Sequence, residues 1–217
     1  MNSKTLEQKL TEGRSYRPME LRAVEDGTEL NSYIVEGYAT TFNQPYELYS
    51  EPGWTLREQV SPDAFDNADM TDVIFQYDHA GRVFARKSNG TLELTPDEHG
   101  LKIRADLSGT EIGRQLYEEI KGGYTTKMSF GFTVAKDTRE ETEDEAGNVD
   151  ILRTITGIKK LYDVSAVSLP ANDATIISAR SDGEGVIAEA KTERSKAIEA
   201  RERKEKVIAI IKLLKEA

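Results

Sequence analysis

Three side chains far apart in the chain are of the types that assemble into a nucleophile, a base and an orienter: a serine, a histidine and an aspartate. Ser129 sits in Lys127-Met128-Ser129-Phe130-Gly131-Phe132, a short apolar run with a hydroxyl inside it. If that run is a strand, alternation puts Met128, Phe130 and Phe132 on a core face and turns Ser129 and Gly131 to the other. Gly131 removes a side chain on the serine's own face, which leaves room for a substrate backbone or an oxyanion. His79 ends a second apolar run, Val73-Ile74-Phe75-Gln76-Tyr77-Asp78-His79, at a strand end where functional groups are commonly displayed. Asp163 opens a third, Asp163-Val164-Ser165-Ala166-Val167, and shares its strand face with Ser165 and Val167. A carboxylate in so apolar a strand needs a partner, because burying it alone is expensive. An imidazole would supply one.

Each residue also has a plainer role open to it. Most hydroxyls on apolar strands simply bond a neighbour. His79 could be a surface turn residue, and Asp163 could pair with Lys159, Lys160 or a nearby turn. The chain has only two histidines. The second, His99, lies in Asp97-Glu98-His99-Gly100, which reads as an exposed turn. A metal site drawing on His79, His99, Asp78 and nearby acids is open by ligand type, but neither His-x-x-x-His nor Glu-x-x-His spacing occurs. No metal and no cofactor is expected.

Composition narrows the field further. The chain has 217 residues, 37% of them hydrophobic, enough for one ordinary domain with tails. Its net charge of −10 argues against a duplex-binding surface, which needs clustered Lys and Arg. With no cysteine, disulfides, thiolate zinc sites and thiol catalysis are excluded, so a nucleophile must be oxygen. No apolar run approaches the roughly 20 residues of a membrane helix, and the polar N-terminus lacks a secretory core. Cytoplasmic synthesis is the default expectation.

The elements that must position the three groups are mostly short strands. Residues 1–30 are charged and weakly patterned, with Leu6 and Leu10 offering at most a helical turn, and are expected to be a mobile arm. Period-two alternation begins at Tyr33, and residues 31–180 are expected to form the main domain. Ser61-Pro62-Asp63-Ala64-Phe65 pairs an N-cap serine with a first-turn proline, predicting a short helix. Strands follow at 73–77, 82–86, 91–94 and 101–107. Asn89-Gly90 suits a tight hairpin and 96–100 a looser one. Ser108-Gly109-Thr110-Glu111 has capping-box spacing, and Ile112, Leu116 and Ile120 then recur every four residues before Gly122-Gly123, predicting one amphipathic helix. The charged stretch from Lys136 to Asp150 reads as a solvated hairpin loop. Residues 181–185 read as a linker, and 186–217 as a charged C-terminal helix with Val207, Ile210, Ile211 and Leu214 at helical spacing. The fold class expected is α+β, mainly antiparallel β.

In this order the motifs resemble those of the prohead maturation proteases of tailed bacteriophages. The resemblance runs from about Tyr33 to Ser178, through Glu36-Gly37-Tyr38-Ala39, Ser61-Pro62-Asp63-Ala64-Phe65, Asp78-His79, Ala85-Arg86 before Gly90-Thr91-Leu92, Met128 to Phe132, and Asp163 to Asn172. It implies a small closed β-barrel flanked by helices, assemblin-like and related to herpesvirus capsid proteases, with serine peptidase activity. By position, Ser129 would be the nucleophile, His79 the general base and Asp163 the orienter, a place where many members carry glutamate. Herpesvirus relatives use a second histidine as the third member, which keeps His99 as an alternative. Backbone amides of Phe130 and Gly131, with help from Arg86, are the expected oxyanion donors. The implied substrate is the scaffolding region of the major capsid protein, or a separate scaffold protein, cut inside the immature shell in the host cytoplasm. The C-terminal helix would serve targeting, dimer formation or self-cleavage, and a homo-dimer follows by analogy. No nucleic-acid or membrane partner is implied. The rival from another class is a non-enzymatic assembly factor that uses the same domain and helix to bind capsid subunits.

Overall fold

The computed structural model describes residues 15–23, 33–168 and 173–216, with side chains described except at 15–20, 22, 173–183 and 209–216. Ten strands join into one mixed sheet, with two α-helices among the described residues. The strands are β1 (Ser15–Ala23), β2 (Ile34–Thr41), β3 (Tyr46–Glu51), β4 (Trp54–Val60), β5 (Ile74–Tyr77), β6 (Ala80–Arg86), β7 (Leu92–Pro96), β8 (Gly100–Asp106), β9 (Lys127–Glu143) and β10 (Val149–Val167). Helix α1 spans Glu111–Lys121 and α2 spans Asp173–Glu216.

The long β9–β10 hairpin is the spine. One edge of β10 follows β9 throughout; its other edge pairs in parallel first with β4, from Val149 to Ile155, and then with β5, from Asp163 to Ala166. Register shifts between Ile155 and Asp163 separate these two halves. Such bulges bend a strand and increase its twist, which lets one strand serve two partners. The full order is β3-β4-β10-β9-β1-β2-β8-β7, with β5 and β6 attached at the far end of β10. This confirms the α+β, largely antiparallel class and corrects the closed barrel. The order ends at β3 and β7, which do not pair with each other, and β6 pairs only with β5. A strand that changes partner midway branches the sheet instead of closing it.

The main core fills the face that carries Met128, Phe130 and Phe132, all fully buried, with Phe75, Val164 and Ala166 from the neighbouring strands and Leu116, Tyr117 and Ile120 from α1. Phe130 and Phe132 stack with ring centres 4.5 Å apart, as same-face i, i+2 residues should. Burying side chains of this size contributes about 1.5–3 kcal/mol each. Helix α1 starts at Thr110, whose Oγ1 accepts the Gly113 N–H at 3.0 Å; the cap is therefore Thr110, two residues beyond the Ser108 expected from capping-box spacing.

Several local expectations need correction. Within the expected arm, Ser15–Ala23 forms β1, ordered by pairing with β9 on one side and β2 on the other. Residues 1–14 and 24–32, including Leu6 and Leu10, lie outside the described residues. Pro62–Phe65 is a 3₁₀ turn whose Ser61 side chain makes no capping bond. Gly90 does take a left-handed φ of 78°, but β6 pairs with β5 and β7 with β8, so Asn89-Gly90 is a corner and not a hairpin. The charged stretch after Lys136 continues β9 as strand, paired with the Val149–Ile155 part of β10 and closed by Asp144–Asn148. Residues 181–185 are helical, inside α2, where two glycines cost about 1 kcal/mol each without ending the helix. Beyond them Val186, Ile187 and Ala190 are buried against Leu56, Val149 and Ile151 in a second apolar cluster. Ion pairs of Arg139 with Glu189, at 2.9 Å, and of Lys191 with Glu51, at 2.5 Å, fasten the same stretch.

Candidate active site

The face of the spine opposite the core carries a polar row. Ser129 on β9 is in register with Ser165 on β10, and Ser165 with Gln76 on β5. One step along, Gly131 is in register with Asp163, and Asp163 with Ile74. Residues in register across a ladder share a face with Cβ atoms about 4.5–5.5 Å apart, so Ser129, Ser165 and Asp163 are neighbours. All are buried: Ser129 and Asp163 are 1% exposed and Ser165 is fully covered. The Ser129 hydroxyl has no hydrogen-bond partner among the described residues.

His79 reaches this row from a tight turn. Tyr77 and Ala80 pair across β5 and β6, leaving Asp78 and His79 as a two-residue connection. Both adopt positive φ, 47° and 56°, as the commonest two-residue hairpin turn requires. Asparagine and glycine usually fill such positions; two other residues there store strain, on the order of 1 kcal/mol or more each. The turn is held from outside. The Asp78 N–H donates to the Ala166 carbonyl at 2.9 Å, and the Asp78 carboxylate accepts the Ser168 N–H at 3.0 Å and the Ser168 hydroxyl. The geometry turns the imidazole inward, 2% exposed, with Nδ1 2.5 Å from Asp163 Oδ1. The carboxylate accepts, so Nδ1 carries the proton and Nε2 keeps the basic lone pair. The Ser165 hydroxyl donates to the same Asp163 oxygen at 2.9 Å. Lys160 instead binds Asp69 at 2.6 Å.

The structure thus puts His79 and Asp163 in direct contact and places Ser129 in the same buried row, which no sequence spacing links. His99 lies in the β7–β8 turn, its N–H bonded to Asp97 and its ring edge-on to Tyr38 at 4.6 Å. The Arg86 guanidinium, about 40% exposed, is paired with Asp72 at 2.7 Å, and Arg86 is in register with Ile74, which is in register with Asp163. Phe130 and Gly131 sit where β9 is flanked by β1 on one side and β10 on the other, with a register shift beside Gly131. Sequence reading missed Ser165 as part of the group. Its one signal was position i+2 from Asp163, on the same strand face.

Among the described residues no cluster of three or more potential ligands could hold a metal ion, and no helix is long and apolar enough to cross a membrane. A buried imidazole in contact with a carboxylate, with a serine in the same buried row, is the set of residue types that a serine hydrolase uses. The chain belongs to the caudovirus prohead serine protease family, whose model matches residues 17–187. Membership implies serine peptidase activity of the kind that matures tailed-phage proheads. No curated protein and no solved structure matches the chain, so the link to herpesvirus capsid proteases stands on the sequence resemblance alone.

Proposed function

We propose that this chain is an endopeptidase that cuts the scaffolding region of the phage major capsid protein, or a separate scaffold protein, and itself, within the prohead. Ser129 Oγ attacks the scissile carbonyl. His79 Nε2 takes the serine proton and returns it to the leaving amine, and Asp163 holds the imidazole tautomer through Nδ1. Water then hydrolyses the acyl-enzyme. The observation that carries this reading is the 2.5 Å contact between His79 Nδ1 and Asp163 Oδ1, in a buried row that includes Ser129.

One observation favours a second reading, a non-enzymatic assembly factor: the three groups are 1–2% exposed, so a substrate must open the site before it can react. Co-expression with the capsid protein separates the two. Ser129→Ala and His79→Ala are expected to fold and to lose cleavage by a factor on the order of 10⁴ or more. Cutting at the wild-type level by Ser129→Ala would reject the peptidase reading and leave the assembly factor.

A further inference from the structure

Ser165 belongs to no motif that carries the family resemblance as a named role, yet it touches the site's carboxylate. It is fully buried, and its hydroxyl donates at 2.9 Å to Asp163 Oδ1, the oxygen that His79 Nδ1 meets at 2.5 Å. Across the ladder it faces Ser129 on one side and Gln76 on the other. An aspartate carboxylate turns easily about its last torsion, and one imidazole contact does not define its plane. A second donor on the same oxygen, delivered from two residues along the same strand face, does. It also offsets part of the cost of covering a carboxylate to 1% exposure.

We propose that Ser165 is a positioning residue: its hydroxyl fixes the Asp163 carboxylate so that the imidazole of His79 is held toward the row containing Ser129. This rests on the peptidase reading of the site. A purely structural hydrogen bond would support folding but leave the imidazole indifferent to its loss, and this is where the two differ.

The test compares the full chain with its Ser165→Ala, Ser165→Thr and Ser165→Cys variants. Two readouts are taken: kcat and KM on a capsid-protein substrate, and the ring resonances of the two histidines by NMR. His99, in the β7–β8 turn with its ring against Tyr38, is the internal control. Ser165→Ala is expected to lower kcat about tenfold, the size of one hydrogen bond to a charged group, with KM unchanged. The His79 ring signals shift while those of His99 stay. Ser165→Thr restores the hydroxyl and with it both readouts. Should Ser165→Ala not fold, Ser165→Cys keeps the volume with a weaker donor and is expected to shift His79 in the same direction. A folded Ser165→Ala or Ser165→Cys protein with unshifted His79 signals overturns the proposal, whatever its rate. Failure of the peptidase reading is recognised separately, by a Ser129→Ala protein that still cuts; the ring signals then still decide the role of Ser165.

Discussion

Asp78 and Ser168 tie the turn that carries His79 to the end of the strand that carries Asp163: the Asp78 carboxylate accepts the Ser168 N–H at 3.0 Å and its hydroxyl at 3.0 Å. The two residues are 90 positions apart, so this contact sets how β5 and β10 meet beyond their last paired residues. It offsets the strain of two consecutive positive φ angles at Asp78 and His79. Asp78→Gly keeps the conformation and loses the latch, whereas Asp78→Ala loses the latch and meets the strain as well. Both are expected to lower kcat, and Asp78→Ala to lose more stability than Asp78→Gly by about 1 kcal/mol, read from urea midpoints.

A second prediction concerns the ionic cluster between the two apolar clusters. Glu58 is fully buried, accepts the Tyr46 hydroxyl at 2.6 Å and pairs with Arg153 at 3.2 Å, while Arg153 Nε also binds Asp137 at 2.6 Å. Arg153→Ala removes a paired guanidinium from the fully buried Glu58 and is expected to cost about 3–5 kcal/mol. The double exchange Arg153→Leu with Glu58→Met is expected to cost less than that single one. Denaturant titration of the three proteins checks the order.

Acid sensitivity follows from three carboxylates. The Tyr38 hydroxyl, with the Gly100 and His99 amides, holds Asp97 below the usual carboxylate range. Lys160, with Thr71, does the same for Asp69, and the Asn148 side chain and amide for Asp144. A folded-state value below the unfolded one means that the stabilisation is complete above the ordinary aspartate value, about pH 4, and is lost as pH falls through the lowered values. The urea midpoint is therefore expected to fall as pH drops below about 4. A midpoint unchanged at pH 3 would contradict the sign.

The C-terminal helix divides in burial along its described length. Val186, Ile187 and Ala190 pack on the sheet, and from 195 to 208 every residue is exposed, including Ile198, Val207 and Ile208. Ile187→Asp is expected to cost several kcal/mol, on the scale of burying an unpaired charge. Ile198→Ala, in the exposed part, is expected to change stability by no more than about 0.5 kcal/mol. Thermal melts of both proteins distinguish a docked first half from a docked whole. The side chains of Ile210, Ile211 and Leu214, from which a partner face was expected, lie outside the described residues.

What could be read from the sequence was local. Met128, Phe130 and Phe132 announced the core face by alternation, Ile112, Leu116 and Ile120 announced α1, and the positions of Ser129, His79 and Asp163 followed from runs that really are strands or strand ends. What could not be read was pairing. The stretch from Lys136 to Asp150 is held by cross-strand ion pairs such as Arg153 with Asp137, so it carries no apolar alternation to mark it as strand. Pro18 and its charged neighbours gave β1 no intrinsic signal, since its order comes from β9 and β2. Asn89-Gly90 told the truth about backbone conformation and nothing about which strands meet. Ser165 looked like any strand serine because its partner is identified only once Asp163 is known to hold His79.

The most direct measurement is peptide-resolved mass spectrometry after treatment with a phosphonofluoridate, in a preparation that is cutting capsid protein. A nucleophilic Ser129 gains one covalent adduct, found on the peptide containing Met128-Ser129-Phe130, and His79→Ala protein handled in the same way gains none. An adduct on a different residue, or continued cutting with Ser129 unmodified after full exposure, would contradict the assignment of the nucleophile.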